Sequence, residues 1–299
     1  MSTFIVISIC IFAGILLRRS GVLPDNASVI LNQYVIWIAL PALVLTHIPS
    51  FNISAEAWLP VGVAWSMVIV SAIIVVVFAR LLKWSASTQC VLLLLVPLGN
   101  TSFVGIPMLT ALIGEASVPI ALLYDQLGSF LALATYGSII VAVYSGEKVT
   151  INHVVIKVMT FPPFIALLVA LLMNVVSFHS SNLTEAFSII GNTLVPVVMV
   201  AVGFQWQFKM SNEDALPMVF GLSIKLLIAP LLVYIALDNV ELSQILKQSI
   251  ILESAMAPMI SAGALAILAN QRPQLVAAMI GYGLLAAFIS VPMWYWVIS

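Results

Sequence analysis

Charged residues are scarce in this chain, and their scarcity decides its class. Asp, Glu, Lys and Arg make up only 7% of the 299 residues, whereas 63% are hydrophobic. A typical soluble domain has about 25% charged residues, so the composition excludes an ordinary soluble domain. It predicts an all-α polytopic membrane protein. With 10 basic and 11 acidic residues, the chain also lacks the basic excess of a nucleic-acid-binding protein.

Other absences narrow the function. The chain has two cysteines, Cys10 and Cys90, and both lie in apolar runs, where we predict core thiols. The sequence lacks an HExxH motif, a Ser/His pair in facing spans and paired acids of the GxGD type. An intramembrane enzyme is therefore not predicted, and no cofactor is expected.

Apolar runs long enough to cross a bilayer fill nearly the whole chain. We predict ten spans, five in a first unit at residues 1–146 and five in a second unit at 147–299. The first is not a signal peptide, because no positive charge precedes it while Arg18 and Arg19 follow it. The predicted spans are Thr3–Leu17, Ala27–Ile48, Trp58–Arg80, Thr88–Ile113, Val118–Tyr144, Val154–Val176, Leu183–Trp206, Ala215–Leu237, Ser243–Ala269 and Leu275–Ile298.

The basic residues predict the orientation of these spans. Cytoplasmic loops of membrane proteins are enriched in Lys and Arg. If the N-terminus is outside, eight of the basic residues fall on the inner side, and Lys247 is an exception on the outer side. Both termini are therefore predicted to lie outside the cell (inner) membrane. The eight residues are Arg18, Arg19, Arg80, Lys83, Lys148, Lys157, Lys209 and Arg272.

The fourth predicted span contains an interruption at residues 96–107. Pro97 and Pro107 are ten residues apart, and Gly99 and Gly105 lie between them. A proline inside a helix removes a backbone donor and costs about 3 kcal/mol. In lipid, such a break persists only where protein or a water-filled cavity covers it. Broken helices at mid-membrane form substrate sites in many carriers, so this segment is predicted to be the transport site.

The second half of the chain repeats features of the first at an offset of about 155 residues. Asn26 opens the second span and Asn182 opens the seventh, each with a proline fourteen or fifteen residues later. The same offset places Pro258 near the middle of the first break, in a segment of small residues that ends at Gly263. Five spans per unit is odd, so the second unit would be inverted. The sequence thus predicts inverted repeats with broken fourth and ninth helices.

The run Val-Pro-Leu-Gly-Asn-Thr-Ser-Phe-Val-Gly-Ile-Pro-Met-Leu at 96–109, followed by Gly114, resembles the fourth-helix motif of the auxin efflux carrier family. That family includes plant auxin exporters and bacterial malate and malonate permease-like proteins. The segment from Ala257 through Arg272 to Pro292 is similar as well. The resemblance implies ten helices whose broken fourth and ninth members cross, as in bile-acid sodium symporter-like proteins. It also implies that Asn100 contacts a substrate carboxylate. Because Gly99 stands where the plant carriers have proline, auxin itself is not implied.

The predicted substrate-binding residues lie in the two breaks. Asn is also a good helix cap, so Asn100 could serve as a cap, as a substrate ligand, or as both, since the N-termini of half-helices attract anions. Thr101 and Ser102 could instead bond to their own helix. The predicted set is Gly99, Asn100, Thr101, Ser102, Pro258, Met259 and Ser261.

Two acidic residues, Asp125 and Glu253, lie farthest inside apolar spans. Each is roughly 10–15 Å from the outer face at 1.5 Å per residue. Intramembrane acids usually line a polar path, so we predict that both handle H⁺ or Na⁺, together with Lys225 and with Ser129, one helical turn after Asp125. In sodium-coupled relatives of the wider fold, a Glu before the ninth-helix crossing coordinates sodium, and Glu253 is similar in position. Alternatively, each acid is a structural, hydrogen-bonded group, and Lys225 snorkels to the interface.

These observations predict a secondary carrier of a small organic anion, a carboxylate, that works by alternating access and couples to H⁺ or Na⁺. A homodimer is compatible with this prediction. The main alternative is a cation/proton antiporter, because an inverted, crossed-helix plan serves both tasks. A channel would not need two matched breaks.

Overall fold

The computed structural model describes residues 2–51, 54–146, 150–178, 180–205 and 211–299. Lys148, Lys209 and Trp206, used above for the orientation and the span ends, lie outside the described residues. Regular secondary structure in the described residues is helical. The helices are α1 (Ser2–Ser20), α2 (Ala27–His47), α3 (Ala55–Leu81), α4 (Ala86–Leu95), α5 (Thr101–Leu112), α6 (Glu115–Ser145), α7 (Ile151–Met159), α8 (Pro162–Val175), α9 (Ser181–Gln205), α10 (Asn212–Leu237), α11 (Gln244–Ser254), α12 (Ile260–Leu268) and α13 (Pro273–Ile298).

Within the part of the chain that the structure describes, six helices are long and apolar enough to cross a membrane. They are α2, α3, α6, α9, α10 and α13. The number becomes seven if α7 and α8, which meet at a bend of 66°, form one span. The structure therefore confirms an all-helical polytopic membrane protein.

Two interruptions of helical structure meet inside the protein. Residues 96–100 separate α4 from α5, and residues 255–259 separate α11 from α12. Gly99 and Pro258, one from each interruption, pair as an isolated antiparallel β-bridge. Pro97 lies inside the first interruption, as the sequence predicts.

The two interruptions exchange backbone hydrogen bonds. The Asn100 amide donates to the Ala257 carbonyl at 2.7 Å, and the Met259 amide donates to the Leu98 carbonyl at 3.0 Å. Backbone groups that no helix satisfies are costly in a membrane, where lipid offers them no partner. Each interruption therefore supplies partners that the other one needs.

Three predicted helix breakers lie within helices and not at a break. Gly105 and Pro107 belong to α5, which opens with a π-type turn in which the Ile106 amide bonds to the Thr101 carbonyl. Such a local π adjustment accommodates a proline in a membrane helix. Gly263 lies within α12, where a Cβ would meet the Val276 side chain of α13 at 2.9 Å. Gly263 therefore allows close helix packing and does not interrupt its helix.

The helices pack in two groups around these interruptions. In the first group, α1 lies along α9, and α2 packs against α8 and α9. Glycines allow a close approach of α1 to α9: a Cβ on Gly14 would lie 2.9 Å from the Phe204 amide nitrogen, and one on Gly203 would lie 2.9 Å from the Ile11 carbonyl carbon. In the second group, α3 packs against α6 and α10 packs against α13.

Candidate functional site

A cavity of about 260 Å³ lies beside the paired interruptions, with walls from both helix groups. Its apolar lining includes three phenylalanines, and its polar lining consists of five side chains. Four predicted substrate residues, Asn100, Ser102, Met259 and Ser261, line it. The full lining is Ile36, Leu40, Asn100, Ser102, Phe103, Asp125, Phe130, Leu133, Lys157, Phe161, Met259, Ile260, Ser261 and Leu265.

The side-chain oxygen and nitrogen of Asn100 differ in their hydrogen bonding. It is the N-cap of α5, and its Oδ1 accepts a hydrogen bond from the Phe103 amide at 3.2 Å. Its Nδ2 is buried and has no hydrogen-bond partner among the described residues. The oxygen therefore caps the helix, while the nitrogen of this cavity-lining residue has no acceptor among the described residues.

Asp125 collects hydrogen bonds from three side chains. Thr101 and Ser102 each donate a hydroxyl to Oδ1 at 2.5 Å, and Gln126 donates its amide nitrogen to Oδ2 at 2.6 Å. The side chains of Thr101 and Ser102 thus bind the start of α5 to α6. Ser129, one turn further along α6, is buried but does not line the cavity.

Glu253 lies at the end of α11, fully buried and packed against α5. Neither of its carboxylate oxygens has a hydrogen-bond partner among the described residues. A Cβ on Gly105 would lie 2.7 Å from Oε1 and 2.9 Å from the carboxyl carbon. Only glycine therefore leaves room for the carboxylate at this point of α5.

Glu253 interacts electrostatically with Asp125 and with Lys225. Lys225 is buried on α10, and a Cβ on Gly99 would lie 2.9 Å from its Nζ. The structure thus places Lys225 in the protein interior beside the first interruption, not at an interface. The predicted acids and this lysine form one buried charged group around the paired interruptions.

Comparison with known proteins identifies the family of the chain. The family model for a membrane transport protein matches residues 1–295. The chain belongs to the membrane transport protein family. This confirms the resemblance to the auxin efflux carrier family drawn from the residues at 96–109.

Two archaeal members are similar over their whole length. An uncharacterized transporter of Methanothermobacter thermautotrophicus is 23% identical over 295 residues, which cover 98% of this chain and 96% of the relative. An uncharacterized transporter of Methanocaldococcus jannaschii is 22% identical over 309 residues, covering 100% of this chain and 98% of the relative.

In this membrane transport protein, sequence reasoning missed Lys157 as a site residue. From the sequence, Lys157 contributes only to the predicted orientation of the spans, yet the structure places its side chain in the cavity wall. The 66° bend between α7 and α8 positions it there. Pro162 and Pro163, which follow within the same apolar run, are the sequence signal that could have indicated this bend.

Proposed function

We propose that this transport protein is a secondary carrier of a small organic anion, a carboxylate, in the cell membrane. The observation that carries this proposal is the free Asn100 amide nitrogen, buried at the cavity beside the paired interruptions. A donor without a partner is costly in a buried position, so a ligand that supplies an acceptor gains affinity there. The N-terminus of α12, which also lines the cavity, favours negative charge.

We further propose ten spans in two inverted repeats, residues 1–146 and 147–299. The six long helices and the bent α7–α8 pair become ten when α1, the α4–α5 pair and the α11–α12 pair are added. The packing supports this proposal, because α1 lies on α9 as α8 lies on α2, and α3 lies on α6 as α10 lies on α13. The reciprocal hydrogen bonds of the two interruptions have the same two-fold character.

Alternating access would occur between the two helix groups. The cavity wall includes Lys157 of α7 and Phe161 in the bend that follows it, and both lie near the start of the sixth proposed span, which is the inner side in the proposed orientation. Towards the other end, His47 of α2 lies 3.6 Å from the Glu115 carboxylate of α6. That contact joins the two groups on the proposed outer side, so this conformation would be open to the inside.

For coupling, we propose that Asp125 and Glu253 form a proton path together with Ser129 and Lys225. Glu253 has no hydrogen-bond partner among the described residues, so its charge must be balanced by Lys225, a proton or Na⁺. A sodium site would need several more oxygen ligands. A proton needs no such ligands, and we therefore favour proton coupling.

The cation/proton antiporter remains the second candidate, supported by the buried acids. Two groups of the cavity wall favour the anion carrier over it. Among the described residues, Asn100 Nδ2 has no hydrogen-bond partner and no carboxylate oxygen lies within 4 Å of the Lys157 ammonium, whereas Asp125 already accepts three hydrogen bonds. A thermal-shift screen of purified protein against organic acids, with and without Na⁺, separates the two, since a ligand of the native state raises its stability.

The orientation predicts which loops react with an impermeant thiol reagent. In a variant without Cys10 and Cys90, Ser50→Cys and Ala116→Cys are expected to label in intact cells, because both positions are exposed on the proposed outer side. Ser145→Cys, exposed at the end of α6, is expected to label only after the cells are opened. Labelling of Ser145→Cys in intact cells would contradict the proposed topology.

Two variants of Asn100 separate its capping atom from its donor atom. Asn100→Ser keeps a good N-cap acceptor for the Phe103 amide but lacks the amide nitrogen. Asn100→Ala lacks both. We expect each variant to bind a carboxylate identified in the screen at least about tenfold more weakly, a loss of about 1.4 kcal/mol. Only Asn100→Ala is expected to melt at a lower temperature. Wild-type affinity in Asn100→Ser would show that Asn100 is a cap alone.

A further inference from the structure

Lys157 is a cavity residue whose charge nothing in the described structure balances. Apart from Lys157, Asp125 is the only ionisable side chain among the described residues of the cavity wall. The two carboxylate oxygens of Asp125 already accept hydrogen bonds from Thr101, Ser102 and Gln126. No carboxylate oxygen of the described residues lies within 4 Å of the Lys157 ammonium.

The local fold explains why this lysine faces the cavity. Lys157 is in the last turn of α7, and the chain turns by 66° before α8 begins. Phe161, in the bend, stacks on Phe130 of α6 with ring centroids 3.8 Å apart and an angle of 14° between the rings. Both rings line the same cavity. The stack therefore fixes the bend against α6, and α7 lies against the 133–137 segment of that helix.

Lys157 and Asn100 are contributed by different elements of the cavity wall. Asn100 belongs to the interruption between α4 and α5, whereas Lys157 belongs to the bent α7–α8 pair, which packs with α2. An anion in the cavity would thus meet an uncharged donor on one wall and an ammonium on another. Lys157 is half-buried, and a contact between an ammonium and an anion is stronger in such a place than in bulk water.

We infer that Lys157 is a specificity-determining residue of the transport site: its ammonium contacts the negative charge of the bound anion, so that the cavity rejects uncharged analogues. This inference rests on the proposed function. The anion would then be held from two separate parts of the cavity wall, by Asn100 at the first interruption and by Lys157 on α7.

The test pairs a change of charge on the protein with a change of charge on the ligand. The probes are phenylacetate and phenylacetamide, chosen because their ring suits a wall of Phe103, Phe130 and Phe161, and succinate with succinamide as a second pair. Binding to purified protein is measured for wild type, Lys157→Gln and Lys157→Arg. The matched control is Lys247→Gln, since the Lys247 ammonium donates to the Asp238 carbonyl outside the cavity.

We expect wild type to bind at least one carboxylate more tightly than its amide. Lys157→Gln is expected to weaken carboxylate binding at least about tenfold, because charge-assisted hydrogen bonds are the strong ones, and to leave amide binding almost unchanged. Lys157→Arg is expected to restore most of the preference, and Lys247→Gln to behave as wild type.

Two results would overturn the inference, and they differ from each other. If Lys157→Gln loses equal affinity for carboxylate and amide, or loses none for either, Lys157 does not contact the negative charge of the ligand. No binding of any carboxylate by wild type would reject the proposed function, and the role of Lys157 with it. Melting temperatures of all variants confirm that the comparison is made on folded protein.

Discussion

Replacing Glu253 by glutamine is expected to abolish pH-driven accumulation of the substrate in proteoliposomes while leaving binding at low pH largely intact. Glutamine has the same shape, so it fits against Gly105, where the Glu253 carboxylate lies. It cannot exchange a proton. The buried carboxylate has no hydrogen-bond partner among the described residues, so protonation is the simplest way to remove its charge when Lys225 does not balance it.

Sodium coupling gives a different result for the same variant. An amide oxygen lacks the charge to hold a hard cation, so Glu253→Gln would then lose sodium-dependent binding as well. Glu241→Gln, at an exposed position between α10 and α11, is the matched control and is expected to accumulate substrate as wild type does. If Glu253→Gln keeps both its pH dependence and its sodium dependence, the residue is structural and the coupling proposal is wrong.

Replacing Asp125 by alanine is expected to cause the largest loss of stability. The hydroxyls of Thr101 and Ser102 and the amide of Gln126 all lose their acceptor. An orphaned buried donor costs about 1–3 kcal/mol, so the three together predict a loss of about 3 kcal/mol or more. We also expect the alanine variant to lose transport, because the hydrogen bonds that join α5 to α6 are removed. Chemical or thermal unfolding in detergent measures the first effect, and uptake measures the second.

Asp125→Asn is the matched variant, because it removes the charge and keeps the shape. Its amide oxygen can accept from Thr101 and Ser102. Its amide nitrogen can donate to Gln126 Oε1 once the Gln126 amide turns over, because that oxygen has no hydrogen-bond partner among the described residues. We therefore expect a melting temperature close to that of wild type and a loss of pH-driven accumulation. Similar melting temperatures for the alanine and asparagine variants would contradict the hydrogen-bond network as the source of stability.

The helix interruptions could be predicted because their causes are local. Pro97 and Gly99 disfavour a helix wherever they stand, and Asn100 favours the start of a new one. The same rule wrongly predicts a break at Pro107, because the π-type turn at 101–105 accommodates the proline ring within the helix. The sequence contains no clear signal for that turn. The pairing of Gly99 with Pro258 could not be predicted from local sequence, because the two residues are far apart in the chain and meet only in the fold.

The site residues divide in the same way. Asn100, Ser102, Met259 and Ser261 were predicted from their place in a break, and the structure brings all four to one cavity. Lys157 was not predicted, because its role depends on the direction of a bend and not on its position along a hydrophobic run. The spacing of residues along the chain does not indicate in which direction a helix bends.

The hydrogen bond from Asn100 to Ala257 also sets an order of events during synthesis. Ala257 follows Asn100 by about 160 residues, and a chain grows by about 5–20 residues per second, so the first interruption waits about 8–30 s for its partner. During that wait its backbone groups need the insertion machinery, water or another part of the nascent chain. A chain that stalls after α6 would leave this interruption without its native partner.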